Sequence, residues 1–536
     1  MSTIRKDLIH AALNRASALT DYNIYKDFHK QYEFMQQTIL ADNSLTEEEK
    51  IVAIRSSNKS YDKSKIFYNE GTRRVCENCN QKCLATLYCE YCVRNYLKYN
   101  FSNWTSGNYD IDNLIQKCQT ETLMPSKIVE WIPYNNLQNI KYLTRGGFSE
   151  IYTAGWINGR YDEWDSNERK LIRVGAIKVI LKQLENVESA DQSWFEEARS
   201  YLTISNKHSS IVQCFGLTQD PSNGTYMLVM KKMDIDLRNY LQQNHDQLTW
   251  KERIKITFSI IDALYDIHIE NLIHRDLHFG NILYSRFNNS WRISDLGFCG
   301  PPDKPLDSIY GNLPYIAPEV IAGKRYTLAS DIYSIAMLMW EISSGQPPFI
   351  NYEHDSNLAI NIIDGMRPKI ISEIPSEYKS LMEQCWDADP LKRPDTETVI
   401  NKMNEIMSYY QNKPDELPQL KIKSNNVTKL FTSKIHIFKN LREPKNATEE
   451  EQEAFHSKFS IPHNIDDFGE SSNQYMSIIG KSDGIFKVLD GGKKLYSMFN
   501  KSTKNDNKND YNKKRYINED DDERYDPNLC SEEQDS

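Results

Sequence analysis

Asp276, Asn281 and Asp295 stand in an order that could do phosphoryl chemistry. They lie in Ile273-His274-Arg275-Asp276-Leu277-His278-Phe279-Gly280-Asn281-Ile282-Leu283-Tyr284 and in Asp295-Leu296-Gly297. Apolar neighbours predict short strands, with the polar groups on two adjacent loops. Magnesium-assisted transfer needs a carboxylate to accept the substrate hydroxyl proton and oxygen ligands for the metal, all converging on one γ-phosphate. Asp276 fits the first role, Asn281 and Asp295 the second. Another constellation is Cys76-x-x-Cys79 with Cys89-x-x-Cys92. A tetrahedral zinc needs four thiolates at about 2.3 Å, and each C-x-x-C turn supplies two. Cys83 could replace one ligand or stay unbound. The alternatives are free thiols or a redox dithiol, and the latter lacks a βαβ context.

The elements that must position these groups form an α+β pattern, with short β-branched and aromatic strands from Leu137 and long amphipathic helices after Leu237. Lys251 to Asn271 is the clearest helix, with Ile254, Phe258, Ile261, Leu264 and His268 on one face, and it delivers the chain to the Asp276 loop. Residues 1–70 read as helical, and Thr46-Glu47-Glu48-Glu49 fits a capping box. The cysteine segment occupies 71–107. Periodicity fades after Tyr409, and Pro414 and Pro418 mark a boundary. Residues 410–499 read as irregular. Residues 500–536, ending in an acidic block at 519–523, read as a disordered tail, either simply solvated or an acidic docking segment.

A chain of 536 residues can hold more than one domain, and its net charge of -10 gives no basic face for nucleic acid. No apolar stretch follows the first charged residues, so no secretory signal is expected. The longest apolar run, Ile332 to Ile342, is too short to span a bilayer. These features predict a cytoplasmic protein without membrane contact. Isolated Cys214, Cys299 and Cys385 sit in apolar contexts, as free thiols do in a reducing compartment.

The Asp276 and Asp295 segments resemble the catalytic and magnesium-binding loops of protein kinases. The HRDLH-x-GN form is similar to the tyrosine-kinase-like group, including expanded fungal families with an N-terminal cysteine-rich segment. The resemblance implies a bilobal kinase fold, with an antiparallel N-lobe sheet plus helix and a mainly helical C-lobe, over residues 137–409. It also implies ATP and magnesium as cofactors and proteins as substrates. Leu143 to Tyr152 looks like the phosphate-covering glycine loop, with Thr144, Gly146, Gly147, Ser149 and Ile151 near the nucleotide. Two of the three usual glycines are replaced, by Thr144 and Ser149. Val174-Gly175-Ala176-Ile177-Lys178 resembles the strand whose lysine holds the α- and β-phosphates, with Ala176 against the nucleotide. Glu197 is the favoured partner for Lys178, with Glu196 as the alternative. The segment from Gly155 to Arg173 reads as a long polar insertion.

By the same resemblance Met230 is the gatekeeper, Met233 offers the hinge N–H, and Asp236 could accept a ribose hydroxyl. Arg275 would meet a phosphorylated or acidic activation segment, which carries Ser308 and Tyr310 as candidate phosphosites. His278 replaces the lysine usual in serine/threonine kinases, and Asn312 the usual threonine. Asp331 would anchor the catalytic loop, and Arg393 would pair with Glu319. Serine/threonine transfer is favoured. The alternative is a pseudokinase scaffold that binds nucleotide and partners without efficient catalysis. The cysteine segment and the tail are candidate partner sites.

Overall fold

The computed structural model describes residues 4–457, except for segments at 22–23, 26, 147–148, 185–192, 287–288, 302–308, 372, 412–432 and 439–440. The expected disordered tail at 500–536 lies outside the described residues. One compact unit holds the described chain through Ala447, and a second begins at Thr448. The described part of the second is the helix Glu449–Ser457, whose start is closed by reciprocal bonds between Thr448 and Glu451.

At the N-terminus, helices Lys6–Leu19, Phe28–Leu40 and Glu47–Tyr68 bury Ile9, Ala12, Ala16, Ile39 and Ala53 against one another. The third starts at the expected capping box, in which Thr46 accepts from the Glu49 N–H and Glu49 accepts from the Thr46 N–H. The cysteine segment and the helix Glu90–Tyr99 form a second small core around Cys83, Ala85, Cys89 and Val93.

A six-stranded sheet follows. Its order from edge to edge is Glu130–Trp131, Cys214–Gln219, Tyr226–Lys231, Ile177–Gln183, Glu150–Trp156 and Leu137–Arg145. The first pair is parallel and the others antiparallel. Alternation along Ile177–Gln183 sends Ile177, Val179 and Leu181 into a core with Trp156, Phe215 and Val229. The opposite face is left for the lysines and the helix Ser193–Lys207.

The insertion between Gly155 and Arg173 is less polar in effect than its composition. It folds as a hairpin, Tyr161–Asp165 against Lys170–Arg173, and buries Trp164 and Leu171 in the cysteine-segment core. Lys59 and Arg55 on the third helix pair with its acids, Asp162 and Glu163. The hairpin therefore joins the N-terminal region to the sheet.

Beyond the sheet, Trp250–His268 is capped by Thr249 and Glu252 and buries Ile254, Ile261, Leu264 and His268, while Phe258 is half-buried. The apolar run Ile332–Ile342 belongs to the core helix Leu328–Ser344, which is buried throughout from Ser330. That helix stops at Gly345, which has φ of 70° and where a Cβ would meet His245 Nδ1 at 2.4 Å. No described helix is long and apolar enough to cross a membrane.

Candidate active site

The lysine that reaches the site is Lys182, and the expectation for Lys178 is corrected. Lys182 Nζ lies 2.8 Å from Glu197 Oε1 and 2.6 Å from Asp295 Oδ1. Lys178 shares its face, because strand side chains repeat every two residues, but four residues displace it by about 13 Å along the strand. It is exposed, opposite Gly155, whereas Lys182 sits opposite Ile151 just past the glycine turn. The apolar Val179-Ile180-Leu181 before Lys182 is the local signal that could have found it. Ala176 moves with this correction: it precedes the strand, and the position two before the lysine is Ile180, paired across to Met230.

Between the adjacent acids on the Ser193–Lys207 helix, Glu197 faces the lysine and Glu196 approaches Arg199. Burial works against the Lys182 ammonium, yet Asp295 and Glu197 hold its pKa well above the usual lysine value. Burial likewise opposes the Asp295 carboxylate, but Lys182 keeps its pKa below the ordinary range. Gly297 leaves room for this cluster, since a Cβ there would come 3.1 Å from Glu197 Oε1.

Asp276, Asn281 and Asp295 converge from two loops set by the short antiparallel pair Ile282–Ser285 and Ser290–Ile293. Asn281 Nδ2 donates to the Asp276 carbonyl at 2.8 Å, which turns its amide oxygen away from that contact. His274 is fully buried. Its Nδ1 accepts from the Asp276 N–H at 3.3 Å, so Nε2 carries the proton and donates to the Ser294 carbonyl at 3.1 Å. His278 Nδ1 likewise accepts from the Gly280 N–H at 3.1 Å, leaving its Nε2–H as a donor beside Asp276.

The turn between Leu137–Arg145 and Glu150–Trp156 is closed by Gly146 N–H donating to the Ser149 carbonyl at 2.8 Å. Thr144 pairs across to Ile151 and Ser149 is buried, while Gly147 lies outside the described residues. Met230 is buried at the end of Tyr226–Lys231, and Met233 follows half-buried in the connection to Asp236. The Asp236 carboxylate caps the helix Leu237–Asn244 by accepting from the Asn239 N–H.

A family model described as protein tyrosine and serine/threonine kinase matches residues 137–403. Residues 137–403 are a protein kinase domain of the eukaryotic type. The chain is 32% identical over 216 residues to the mouse (Mus musculus) dual serine/threonine and tyrosine protein kinase, covering 39% of this chain and 23% of that protein. It is 33% identical over 213 residues to the probable serine/threonine-protein kinase roco8 of Dictyostelium discoideum, covering 37% and 11%. To a putative serine/threonine-protein kinase/receptor of Acanthamoeba polyphaga mimivirus it is 26% identical over 318 residues, covering 58% and 18%. The matched part thus spans less than a quarter of the length of each of these relatives.

Within the kinase domain the Asp276 loop is anchored by Asp331. Asp331 accepts from the His274 N–H at 2.7 Å and the Arg275 N–H at 3.0 Å, and touches His268 at 3.0 Å. Arg393 grips Glu319 with two bonds of 2.8 and 2.6 Å, with both side chains buried. Arg275 donates to the carbonyls of Phe298 and Pro301, so it meets the activation segment through backbone oxygens. Ser308 lies outside the described residues. Tyr310 is buried, with its ring stacked on Phe298 at 3.7 Å. Asn312 is also buried.

One neighbour of the site was invisible to motif reading. Ser433 Oγ donates to Asp276 Oδ1 at 2.9 Å, and the strand Lys434–His436 that follows it pairs with Ile309–Gly311 of the activation segment.

Outside the kinase domain, the cysteine cluster is closed. Cys76 and Cys92 Sγ are 3.7 Å apart, Cys79 and Cys89 Sγ 3.5 Å, and all four sulfurs lie within 4.8 Å of one another. Tetrahedral ligands at 2.3 Å would stand about 3.8 Å apart. Burial raises the Cys76 thiol, but the backbone N–H groups of Cys79 and Asn78 and the side chains of Cys89 and Cys92 together bring the pKa to about 7. Cys83 donates to the Arg74 carbonyl. Cys83 also lies near Cys89 and Glu90, whose carboxylate already accepts two backbone N–H groups.

Proposed function

We propose that the chain transfers the γ-phosphate of magnesium-ATP to serine or threonine hydroxyls of protein substrates. The observation that carries this reading is the convergence of Lys182, Glu197 and Asp295 beside Asp276 and Asn281. Lys182 would hold the α- and β-phosphates, with Glu197 fixing its position. Asn281 and Asp295 offer oxygens to magnesium, which, when bound, neutralises charge on the transferring phosphate. Asp276 would orient the hydroxyl and take its proton, with the His278 Nε2–H on the same side of the acceptor. Thr144, Gly146, Ser149 and Ile151 would cover the nucleotide. Ile180 and Met230 would line the adenine, Met233 would offer its N–H, and Asp236 retains oxygen capacity for a ribose hydroxyl.

A serine acceptor is supported by the reach of Ser433, whose short side chain meets Asp276. The names of the relatives from Dictyostelium and mimivirus, both serine/threonine kinases, support it further. In the cysteine segment, Cys76, Cys79, Cys89 and Cys92 fit a structural zinc. That small core packs on the insertion hairpin and is the candidate site for protein partners. Free thiols at Cys118, Cys214, Cys299 and Cys385, outside the cluster, support a cytoplasmic setting.

The test is phosphopeptide mapping after incubation with magnesium-ATP and a generic protein substrate. Phosphoserine and phosphothreonine that vanish when magnesium is removed are expected. Phosphotyrosine alone would overturn the acceptor assignment, and nucleotide binding without any transfer would return the pseudokinase reading.

A further inference from the structure

The geometry points to Ser433 as an acceptor for the chain's own active site, a modification site phosphorylated in cis. This inference rests on the kinase reading above and adds its first substrate.

Several observations meet at this residue. Ser433 Oγ lies 2.9 Å from Asp276 Oδ1 and 3.1 Å from His278 Nε2. The His278 Nδ1 is occupied by the Gly280 N–H, so Nε2–H donates to Ser433 Oγ while the serine hydroxyl donates to Asp276. The hydroxyl proton is therefore already directed at a carboxylate, and Tyr310 also hydrogen-bonds the serine side chain. This is the arrangement that transfer to an alcohol requires. Ser433 is buried, although it belongs to a segment beyond the kinase domain proper.

The chain around Ser433 is held as an extended substrate would be. Lys434–His436 pairs antiparallel with Ile309–Gly311, in the register Gly311 with Lys434, Tyr310 with Ile435 and Ile309 with His436. This is strand addition, in which main-chain bonds give affinity and alternate side chains give selectivity. His436 is buried with Nε2 3.1 Å from the Gly311 carbonyl, and Lys434 Nζ reaches the His354 carbonyl at 3.1 Å. Ile435, between them, is exposed. Gly311, at φ of 140°, lets the strand pass close to the base, because a Cβ there would stand 3.3 Å from Asp276 Oδ1.

In the step, Ser433 Oγ forms a bond to the γ-phosphorus of ATP as the bond from that phosphorus to the β,γ-bridging oxygen breaks. ADP leaves with the electron pair of that bond, and the hydroxyl proton passes to Asp276. The product places a doubly charged phosphate against the carboxylate, so the strand is expelled and the groove opens to other proteins.

The experiment follows phosphate at Ser433 by mass spectrometry in the full chain with magnesium-ATP, over a tenfold range of protein concentration and beside a generic protein substrate. Phosphoserine at 433 with a rate constant independent of concentration is expected, and Ser433→Ala should lose that peptide while still modifying the generic substrate. His436→Ala, which removes the bond to Gly311, should slow modification at 433 several-fold. An unmodified Ser433 in a chain that phosphorylates the generic substrate overturns the inference and spares the kinase reading. A rate proportional to concentration overturns the cis assignment. No transfer to either acceptor overturns both.

Discussion

Lys182 Nζ stands 2.8 Å from Glu197 Oε1, joining the central strand of the sheet to the Ser193–Lys207 helix. The same ammonium meets Asp295 on the Asp295-Leu296-Gly297 loop at 2.6 Å, so one side chain ties three elements together. A charge buried this completely is stable only while its partners are present.

Lys182→Met should therefore reduce phosphate transfer by on the order of 100-fold or more, as removal of a preorganised charge at a transferring phosphate does. Lys178→Met, at an exposed position on the same strand face, should leave it within about twofold. Initial-rate assays on the two variants check the assignment, and the reverse ranking would restore Lys178.

The buried Arg393–Glu319 pair predicts a stability loss. Arg393→Ala leaves Glu319 without its two bonds and should cost about 3–5 kcal/mol. Urea unfolding, read at the kinase domain, measures it.

His245 predicts an acid-sensitive fold. Burial, aided by Arg253, lowers its pKa from 6.5 to about 4, and its Nδ1 lies 3.0 Å from Arg253 Nη1. Because the folded value lies below the unfolded one, the unfolded chain binds the proton more readily between them. The contribution of neutral His245 is thus complete above pH 6.5 and lost as pH falls towards about 4. Thermal melts across that window should show a falling midpoint, and His245→Gln should flatten the slope.

For the cysteine cluster, metal analysis of the purified chain should find one zinc per molecule. Cys76→Ser or Cys92→Ser should abolish it, whereas Cys83→Ser should leave it in place. A chelator should lower the melting temperature of the N-terminal region, since metal binding contributes directly to folding there.

Legibility in the sequence followed the range of each interaction. Asp276, Asn281 and Asp295 are set by two short loops, so their spacing carries their geometry. The Thr46 cap and the Arg393–Glu319 pair were readable because each rests on a local pattern or a recognisable motif. Lys182 was not, because period two places Lys178 and Lys182 on one strand face. The apolar Val179-Ile180-Leu181 before Lys182 is a faint local signal, and the cross-strand register with Ile151 decides between them. The insertion hairpin reads as polar because its exposed charges outnumber Trp164 and Leu171, the residues that dock it. Ser433 meets Asp276 across 157 positions of chain, and no local pattern encodes such a contact.

The central claim is that this constellation transfers phosphate, and Asp276 is its test. Radiolabelled magnesium-ATP incubated with a generic protein substrate should give incorporation by the wild-type chain and a loss of at least about 100-fold in Asp276→Asn, with nucleotide binding preserved. Equal incorporation by the two proteins, or none from a wild-type chain that binds ATP, would contradict the account.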